Sequence, residues 1–313
     1  MSDIPYDASR VALDTPQLRD TVFVAGTDYD EVALSVEFAR LAYVHYEDGG
    51  AELDRLKEAL GRVQFGDVVV FEDAATGTQG YGASRSVDGL YVLAFRGTEP
   101  TQLTDIDTDL EFSLTDWTEK AGRVHKGFAS AARSIFVPVN EWLEQTRAAR
   151  RRLFVTGHSL GAAIATLYAS VIAPDKLVTI GSPRVGDADF VATLTGIDMT
   201  RLVDCCDVVT ELPPEVGGYV HAGDAAYLTR DGVLASTADS DFIRDDRLAA
   251  RADYLRDYAW KTGNELLRDL ADHAPINYVR CFMPCGVGAL LGGDFGVFRV
   301  NEFDGCANFF DGG

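Results

Sequence analysis

The chain has 313 residues, of which 47% are hydrophobic, and this composition excludes a disordered tail or a miniprotein held by disulfides. Its 28 basic and 49 acidic side chains leave a formal net charge of −21. Such a surface disfavours electrostatic binding of nucleic acid or anionic lipid, so we expect neutral, cationic or apolar partners and no nucleic-acid partner.

The cysteines do not suggest a disulfide framework. There are five, an odd number, and Cys205 and Cys206 are adjacent, a pattern that is typical of a reducing compartment. Cys281 and Cys285 are close enough in sequence to share a bridge, which is left open. Because no His or second close cysteine pair accompanies them, the sequence predicts no metal site.

Neither a membrane span nor a leader is visible. No stretch approaches the ~20 apolar residues that a spanning helix requires. The first residues, MSDIPYD, lack a basic region followed by an apolar run, so no signal peptide is seen. The sequence therefore predicts a protein that is not integral to a membrane and is either cytoplasmic or secreted with a signal not visible in this sequence.

The first half of the chain is predicted to contain one helix, several strands and a second helical segment. Apolar residues recur with a helical period over 28–46, which we interpret as a surface helix. A second helical segment is predicted to open at Val124 and run through Trp142. Strands are predicted over 68–71, 80–84 and 90–95.

In the second half, strands and helices alternate. Strands are predicted over 153–156, 177–180 and 201–205, with helices over 160–173 and 188–194. Residues 222–262 are interpreted as a loop plus a helix, and 264–280 as another helix. This alternation indicates an α/β protein with a mainly parallel sheet covered by helices on both faces. Because no repeat or linker is visible, a single domain over 1–313 is predicted.

The pentapeptide GHSLG at 157–161 is placed between an apolar strand and an alanine-rich helix. Ser159 would then lie on a sharp turn, where Gly157 and Gly161 avoid side chains that would collide. The turn would also point the backbone N–H of Leu160 at an oxygen that becomes negative during acyl transfer. We therefore interpret Ser159 as a candidate nucleophile.

A serine hydroxyl needs a base, and that base needs an orienting carboxylate. In folds of this kind the order along the chain is serine, acid, histidine, which leaves His221 and His273 as candidate bases. Asp207 is placed just after a predicted strand, at the edge where such sheets gather functional loops. Asp204 lies inside the strand and is interpreted as a structural hydrogen-bonding group.

Seven short motifs lie along the chain in one order. They are FRGT (95–98), VHKGF (124–128), GHSLG (157–161), GSPRVG (181–186), DVVTELPP (207–214), GYVHAG (218–223) and DH (272–273). In this order they resemble the class 3 lipases, the fungal-type α/β-hydrolases. The resemblance covers roughly residues 30–280, and the motifs assign no role to residues 281–313.

The resemblance implies a serine carboxylic-ester hydrolase that needs no cofactor. It implies Ser159 as nucleophile, Asp207 as acid and His273 as base, with an acyl-enzyme intermediate. Triacylglycerol lipase is the leading activity. The alternatives left open are an esterase on short soluble or aromatic esters, a phospholipase A1, a peptide or thioester hydrolase, and an inactive binding module on the same scaffold.

The resemblance also implies supporting roles around the triad. Thr98 is expected to act with Leu160 as the oxyanion hole. His158, inside the nucleophile elbow, and His125 are expected to pack or hydrogen-bond near the site. His221 is expected to be structural.

The segment between Thr98 and Trp117 carries an apolar helical stripe. Leu103, Ile106 and Leu110 share one face by their spacing of three and seven residues. In class 3 lipases the matching segment is a helical lid, so these residues are the predicted lid. Its acidic flanks favour a neutral lipid or ester substrate, and transient contact with a lipid interface is left open.

Overall fold

The computed structural model describes residues 4–97 and 112–283. Nine strands lie in this part of the chain, and seven of them form one sheet. The strands are β1 (Gly66–Asp73), β2 (Thr78–Arg85), β3 (Leu90–Phe95), β4 (Leu114–Asp116), β5 (Arg123–His125), β6 (Arg152–His158), β7 (Lys176–Ile180), β8 (Met199–Asp204) and β9 (Ala225–Leu228).

The helices of the same ranges lie before, between and after the strands. They are α1 (Arg10–Asp14), α2 (Glu31–Leu41), α3 (Gly50–Gly61), α4 (Lys126–Ser134), α5 (Phe136–Thr146), α6 (Leu160–Ile172), α7 (Ala188–Ala192), α8 (Ser240–Asp257), α9 (Arg268–Ala271) and α10 (Pro275–Val279). Within the described ranges, none is both long and apolar enough to cross a bilayer.

The main sheet has the strand order β1-β2-β3-β6-β7-β8-β9. Strands β1, β2 and β3 pair antiparallel, and β3, β6, β7, β8 and β9 pair parallel. Phe95 at the end of β3 lies opposite Gly157, and Ile180 at the end of β7 lies opposite Leu202. The carboxyl ends of the parallel strands therefore meet at one edge, where ligands of such sheets bind.

Alternate side chains of the central strands enter two different cores, one on each face of the sheet. Leu93 and Phe95 pack in a core with α4, α5 and α6, whereas Val92 and Ala94 pack in a core with α2 and α3. Burial on both faces is the reason that these strands read as continuous apolar runs. The predicted mainly parallel sheet with helices on both faces is confirmed.

The prediction of a surface helix over 28–46 is wrong. Helix α2 begins after Asp30, whose side chain caps the N–H of Ala33, and its residues 33–41 are all buried. Two of them are charged, and they form a buried pair in which Arg40 donates to Glu37 over 2.6 and 2.8 Å. Because each charge is paired, this helix can be covered on all sides.

Other boundaries also differ from the prediction. The segment predicted as one helix from Val124 to Trp142 starts at the end of β5 and is divided into α4 and α5 at Ile135. The helix predicted over 264–280 is two short helices, α9 and α10, separated at 272–274. Helix α3 and the edge strand β9 were not predicted, since α3 is rich in charged residues and β9 has only four residues.

Candidate active site

Ser159 lies on a sharp turn between β6 and α6. Its φ of 58° and ψ of −127° are unusual for a residue with a side chain, and such strain is concentrated at functional sites. A Cβ added at Gly157 would lie 2.2 Å from the carbonyl oxygen of Gly161, and one at Gly161 would lie 2.2 Å from that of Phe95. Both contacts are with backbone, so these two positions require glycine.

We expect the substitution Gly161→Ala to lower the free energy of unfolding by about 2–3 kcal/mol, because the added methyl group must displace the end of β3. Urea unfolding measures this loss. Gly50→Ala is the matched control, since a Cβ at Gly50 meets no atom within 4 Å, and its stability should stay near that of the wild type. Equal stabilities of the two variants would contradict the close contact.

The N-terminus of α6 begins directly after Ser159, so the N–H of Leu160 stands at the first helical position, where no intrahelical acceptor exists. The end of β3 approaches the same turn. A Cβ at Gly97 would lie 2.7 Å from the carbonyl oxygen of His158 and 3.1 Å from Cβ of Ser159. The predicted oxyanion and lid residues Thr98, Leu103, Ile106 and Leu110 lie outside the described residues.

Asp207 follows β8 and is fully buried. Its carboxylate accepts the backbone N–H of Val209 over 2.9 Å and the hydroxyl of Tyr278 over 2.5 Å. Burial, and then the charge of Asp207, raises the pKa of Tyr278 well above its usual value, so this hydroxyl stays protonated as a donor. The third partner is Nδ1 of His273, at 2.8 and 3.0 Å from the two carboxylate oxygens.

His273 lies between α9 and α10 and is fully buried. Its Nε2 has no hydrogen-bond partner among residues 4–97 and 112–283. Its backbone carbonyl oxygen lies 2.8 Å from Nε2 of His158, and the two imidazole rings are 4.5 Å apart. Since a carbonyl oxygen can only accept, Nε2 of His158 carries the proton.

His158 itself is held as a neutral imidazole. Burial, and then the neighbouring His273, lowers the pKa of His158 well below its usual value. With the proton on Nε2, Nδ1 accepts the hydroxyl of Tyr43 over 2.7 Å. His158 therefore connects the end of α2 to the segment that carries His273. Its role is to support the site, and it does not accept a proton from Ser159.

The backbone of Ser159 is linked to the end of β7, which approaches the Asp207–His273 pair. The N–H of Ser159 donates to the carbonyl of Ile180 over 3.0 Å, at the end of β7. The next residue, Gly181, is so close that a Cβ there would lie 2.7 Å from Oδ2 of Asp207 and 3.1 Å from Nδ1 of His273. The sheet edge thus brings together the three residues that the sequence singled out.

The other candidate histidines have different surroundings. Nδ1 of His221 has no hydrogen-bond partner among the described residues, and burial, then the charges of Arg201 and Arg184, lowers the pKa of His221 to about 3. Nδ1 of His125 accepts N–H groups at the start of α4, and burial lowers its pKa to about 4. Neither ring is hydrogen-bonded to Asp207 in the described part of the chain.

Asp204, the rival acid, points elsewhere. Its Oδ1 accepts the N–H of Cys205 over 2.8 Å, and Oδ2 has no partner within the described ranges. Burial, and then the charge of Asp272, raises the pKa of Asp204 well above its usual value. A carboxyl group in this setting favours its neutral form, so the interpretation of Asp204 as a structural group agrees with its position.

The raised pKa of Asp204 has a measurable consequence for stability. Its contribution is fully present below the unfolded pKa of about 3.9 and is lost as pH rises toward the folded pKa. We expect Asp204→Asn, which cannot ionise, to become progressively more stable than the wild type between about pH 4 and pH 8. Urea unfolding at several pH values measures the difference, and a constant difference would contradict it. The exposed Asp231→Asn is the control.

Cys205, Cys206 and Asp272 offer three potential ligand atoms that all lie within 4.8 Å of one another. The carboxylate of Asp272, however, already accepts hydrogen bonds from Tyr6, from Arg268 and from the N–H of Cys206. A cation here would displace or face the Arg268 guanidinium, so this donor set does not fit a metal ion. Cys281 donates to a backbone carbonyl, and Cys285, with which a bridge was left open, lies outside the described residues.

Sequence reasoning missed several residues that surround the acid and the base. They are Tyr43, Tyr278, Tyr6 and Arg268. Tyr6, Tyr43 and Tyr278 reach their partners from segments 71 to 266 residues away in sequence, so no local pattern marks them, and Arg268 reaches Asp272 across one helical turn. Asp272 was visible only as the first letter of the DH motif.

A strained serine at a strand-to-helix turn, with a carboxylate–imidazole pair at the same edge of a mainly parallel sheet, defines an α/β-hydrolase. A family model described as Lipase (class 3) matches residues 92–217, which include the elbow and Asp207. Over these residues the chain matches the class 3 lipase family.

Curated relatives and solved structures are similar to this chain. It is 31% identical over 177 residues to a lipase of Rhizopus niveus, matching 51% of this chain and 44% of that protein, so less than half of that relative's length is spanned. It is 28% identical over 254 residues to the secreted mono- and diacylglycerol lipase A of Penicillium cyclopium, matching 71% and 78% of the two chains. A crystal structure of a mutant form of MDLA from Penicillium cyclopium aligns with a TM-score of 0.58 and 25% identity, over 80% of this chain and 96% of that chain.

Proposed function

We propose that this protein is a cofactor-independent serine carboxylic-ester hydrolase that acts on acylglycerols. Ser159 is the nucleophile, His273 the base and Asp207 the acid. The observation that carries the proposal is the buried hydrogen bond of 2.8 Å between Asp207 and Nδ1 of His273, at the same sheet edge as the strained Ser159.

The geometry supports the following proton transfers in the proposed reaction. Because Asp207 accepts from Nδ1, the imidazole of His273 carries its proton there and leaves Nε2 as a lone pair. Nε2 takes the hydroxyl proton of Ser159 as the oxygen attacks the ester carbonyl, and then returns it to the departing alcohol. Water releases the acid from the acyl-enzyme by the same steps in reverse order.

The tetrahedral intermediate carries a negative oxygen that requires donors. The N–H of Leu160, at the start of α6, is one donor, and the positive end of the helix dipole adds to it. Thr98 remains the predicted second donor. One such donor contributes about 3 kcal/mol to lowering the barrier in comparable enzymes.

The substrate proposal rests on the relatives and on charge. The Rhizopus protein is named a lipase, and the Penicillium protein a secreted mono- and diacylglycerol lipase. The net charge of −21 would repel anionic lipid and help expel a fatty acid anion. We therefore infer a preference for neutral acylglycerols, and the relative's secretion supports the secreted alternative for this chain.

A fluorophosphonate probe tests the serine chemistry. We expect the probe to label the wild type once, on the peptide that contains Ser159, and not to label Ser159→Ala. Ser182→Ala is the matched control, because Ser182 is a buried serine near the same sheet edge whose hydroxyl donates to the carbonyl of Pro183. It should label like the wild type. An unlabelled wild type would indicate an inactive scaffold.

A substrate series tests the acylglycerol assignment. We expect hydrolysis of emulsified triolein and of p-nitrophenyl esters with long acyl chains, and faster reaction with neutral droplets than with phosphatidylglycerol vesicles at low salt. Activity confined to short soluble or aromatic esters, with no increase at an interface, would make the protein an esterase. Equal or greater rates on the vesicles would favour a phospholipase and remove the role of charge.

A further inference from the structure

We propose that Asp272 is a positioning residue that joins the loop carrying Asp207 to the segment carrying His273, with Tyr6 and Arg268 holding its carboxylate. The inference rests on the proposed function, since it concerns the acid and base of that reaction. Asp272 itself does not contact Ser159 in this role. It acts through the relative position of the two residues that do the proton chemistry.

The first observation is that one carboxylate connects both sides of the pair. Asp272 precedes His273 directly in the chain, so its backbone moves with that residue. Its Oδ2 accepts the backbone N–H of Cys206 over 2.9 Å, and Cys206 directly precedes Asp207. A displacement of either loop relative to the other therefore lengthens this hydrogen bond.

The second observation is that the carboxylate is fully occupied and charge-paired. Asp272 is 0% exposed. Nε of Arg268 donates to it over 3.0 and 3.2 Å, one turn earlier on α9, and the hydroxyl of Tyr6 donates over 2.7 Å. A buried carboxylate with its charge paired and its lone pairs filled has a defined orientation, which a partly satisfied one lacks.

The third observation is that the N-terminal segment is hydrogen-bonded to residues on both sides of His273. Asp7 and Asn277 exchange hydrogen bonds, from N–H to Oδ1 over 2.9 Å and from Nδ2 to the carbonyl over 2.8 Å. Nδ2 of Asn277 also donates to the carbonyl of Ala271 over 2.8 Å. Tyr6, which is 266 residues from Asp272 in sequence, thus reaches the carboxylate from a fixed backbone.

The rate of proton transfer depends steeply on the distance between the groups that exchange the proton. A displacement of about 1 Å in a catalytic group can lower the rate about 100-fold. We expect Asp272→Asn to lower kcat about 10–100-fold with KM unchanged within about threefold, since the amide cannot accept from all three donors. Tyr6→Phe, which removes a single donor, should lower kcat about threefold.

The control is Asp269→Asn. Asp269 lies on α9, which ends directly before Asp272, and it forms a similar bidentate pair with Arg251 at 2.6 to 3.1 Å. Within the described ranges, this partner belongs to neither catalytic loop. We expect its kcat per fluorophosphonate-labelled site to equal that of the wild type. A general effect of removing a carboxylate from this part of the chain would lower the kcat of both variants equally.

The experiment uses the full chain and two readouts besides thermal unfolding. One is kcat for p-nitrophenyl butyrate per labelled site, measured well below the melting temperature of each variant. The other is the downfield proton resonance of Nδ1–H in His273, which reports its hydrogen bond to Asp207. We expect the resonance to shift upfield or broaden in Asp272→Asn and to be unchanged in Asp269→Asn.

Three outcomes distinguish failure of the positioning inference from failure of the proposed function. If Asp272→Asn folds and shows the wild-type kcat per site and the wild-type resonance, Asp272 has only a structural role and the positioning inference is overturned. If Asp272→Asn does not fold, the same two measurements on Tyr6→Phe decide, and unchanged values again overturn it. If the wild type neither labels nor hydrolyses esters, the proposed function fails, while the resonance still tests the positioning of His273.

Discussion

Replacement of Ser159 by alanine is expected to lower kcat on p-nitrophenyl esters by about 10⁶-fold, to near the rate left by binding and oxyanion stabilisation alone. The reason is that no acyl-enzyme can form without the hydroxyl oxygen. The side chain is small and 2% exposed at the elbow, so its removal should leave the fold intact. Steady-state kinetics on the purified variant, with far-UV circular dichroism as a check of folding, measures the loss.

The matched variant Ser182→Ala controls for the loss of a buried hydroxyl near the same edge. It should retain kcat within about threefold of the wild type. A Ser159→Ala protein that keeps more than about 1% of the wild-type kcat would mean that another residue attacks the ester, and the triad assignment would then be incorrect.

The substitution Asp207→Asn is expected to lower kcat by about 10⁴-fold. The amide group of asparagine would present a donor to Nδ1 of His273, which now donates to the carboxylate over 2.8 Å. The imidazole would then take the tautomer with its proton on Nε2, and that nitrogen could no longer accept from Ser159. The asparagine oxygen would still accept the N–H of Val209 at the position of Oδ1. The hydroxyl of Tyr278, which contacts Oδ2, can rotate to accept from the amide, so the loop should remain folded.

Asp187→Asn is the control for Asp207→Asn. Asp187 is also a buried aspartate that caps a helix, α7, and it pairs with Arg123 on the side of β5. Its kcat should change less than about threefold, whatever its stability. If Asp207→Asn and Asp187→Asn lose similar amounts of kcat, the loss reflects general damage to the fold and not the tautomer of His273.

Local sterics explain why the elbow could be predicted from the sequence. A Cβ added at Gly157 or Gly161 would lie 2.2 Å from a backbone oxygen, so both positions need glycine. The spacing of these glycines around Ser159 is visible in the sequence. The strand-to-helix order was predicted for the same kind of reason, because a buried parallel strand needs a continuous apolar run. Strand β3 was predicted with the bounds that the structure has, Leu90–Phe95.

The failures come from contacts between distant segments. Helix α2 was interpreted as a surface helix because its apolar residues recur with a helical period, yet Glu37 and Arg40 are buried in it as well. In the folded chain these two charges pair with each other, and Arg40 also donates to the carbonyls of Pro16 and Arg19. These contacts offset the desolvation of the two charged side chains, so the helix can be buried. Periodicity carries no information on such partners, since they come from another part of the chain.

The sequence by itself determined the class of fold, the elbow around Ser159 and the short list of acids and bases, because these depend on spacing and on backbone sterics within a few residues. Only the tertiary structure decided that Asp207, not Asp204, faces His273, since two aspartates three residues apart at a strand end differ in direction and not in composition. It also decided that Asp272 bonds to Cys206 and Tyr6. These hydrogen bonds join residues up to 266 positions apart, and only the packing of the whole sheet and its helices brings such residues within reach.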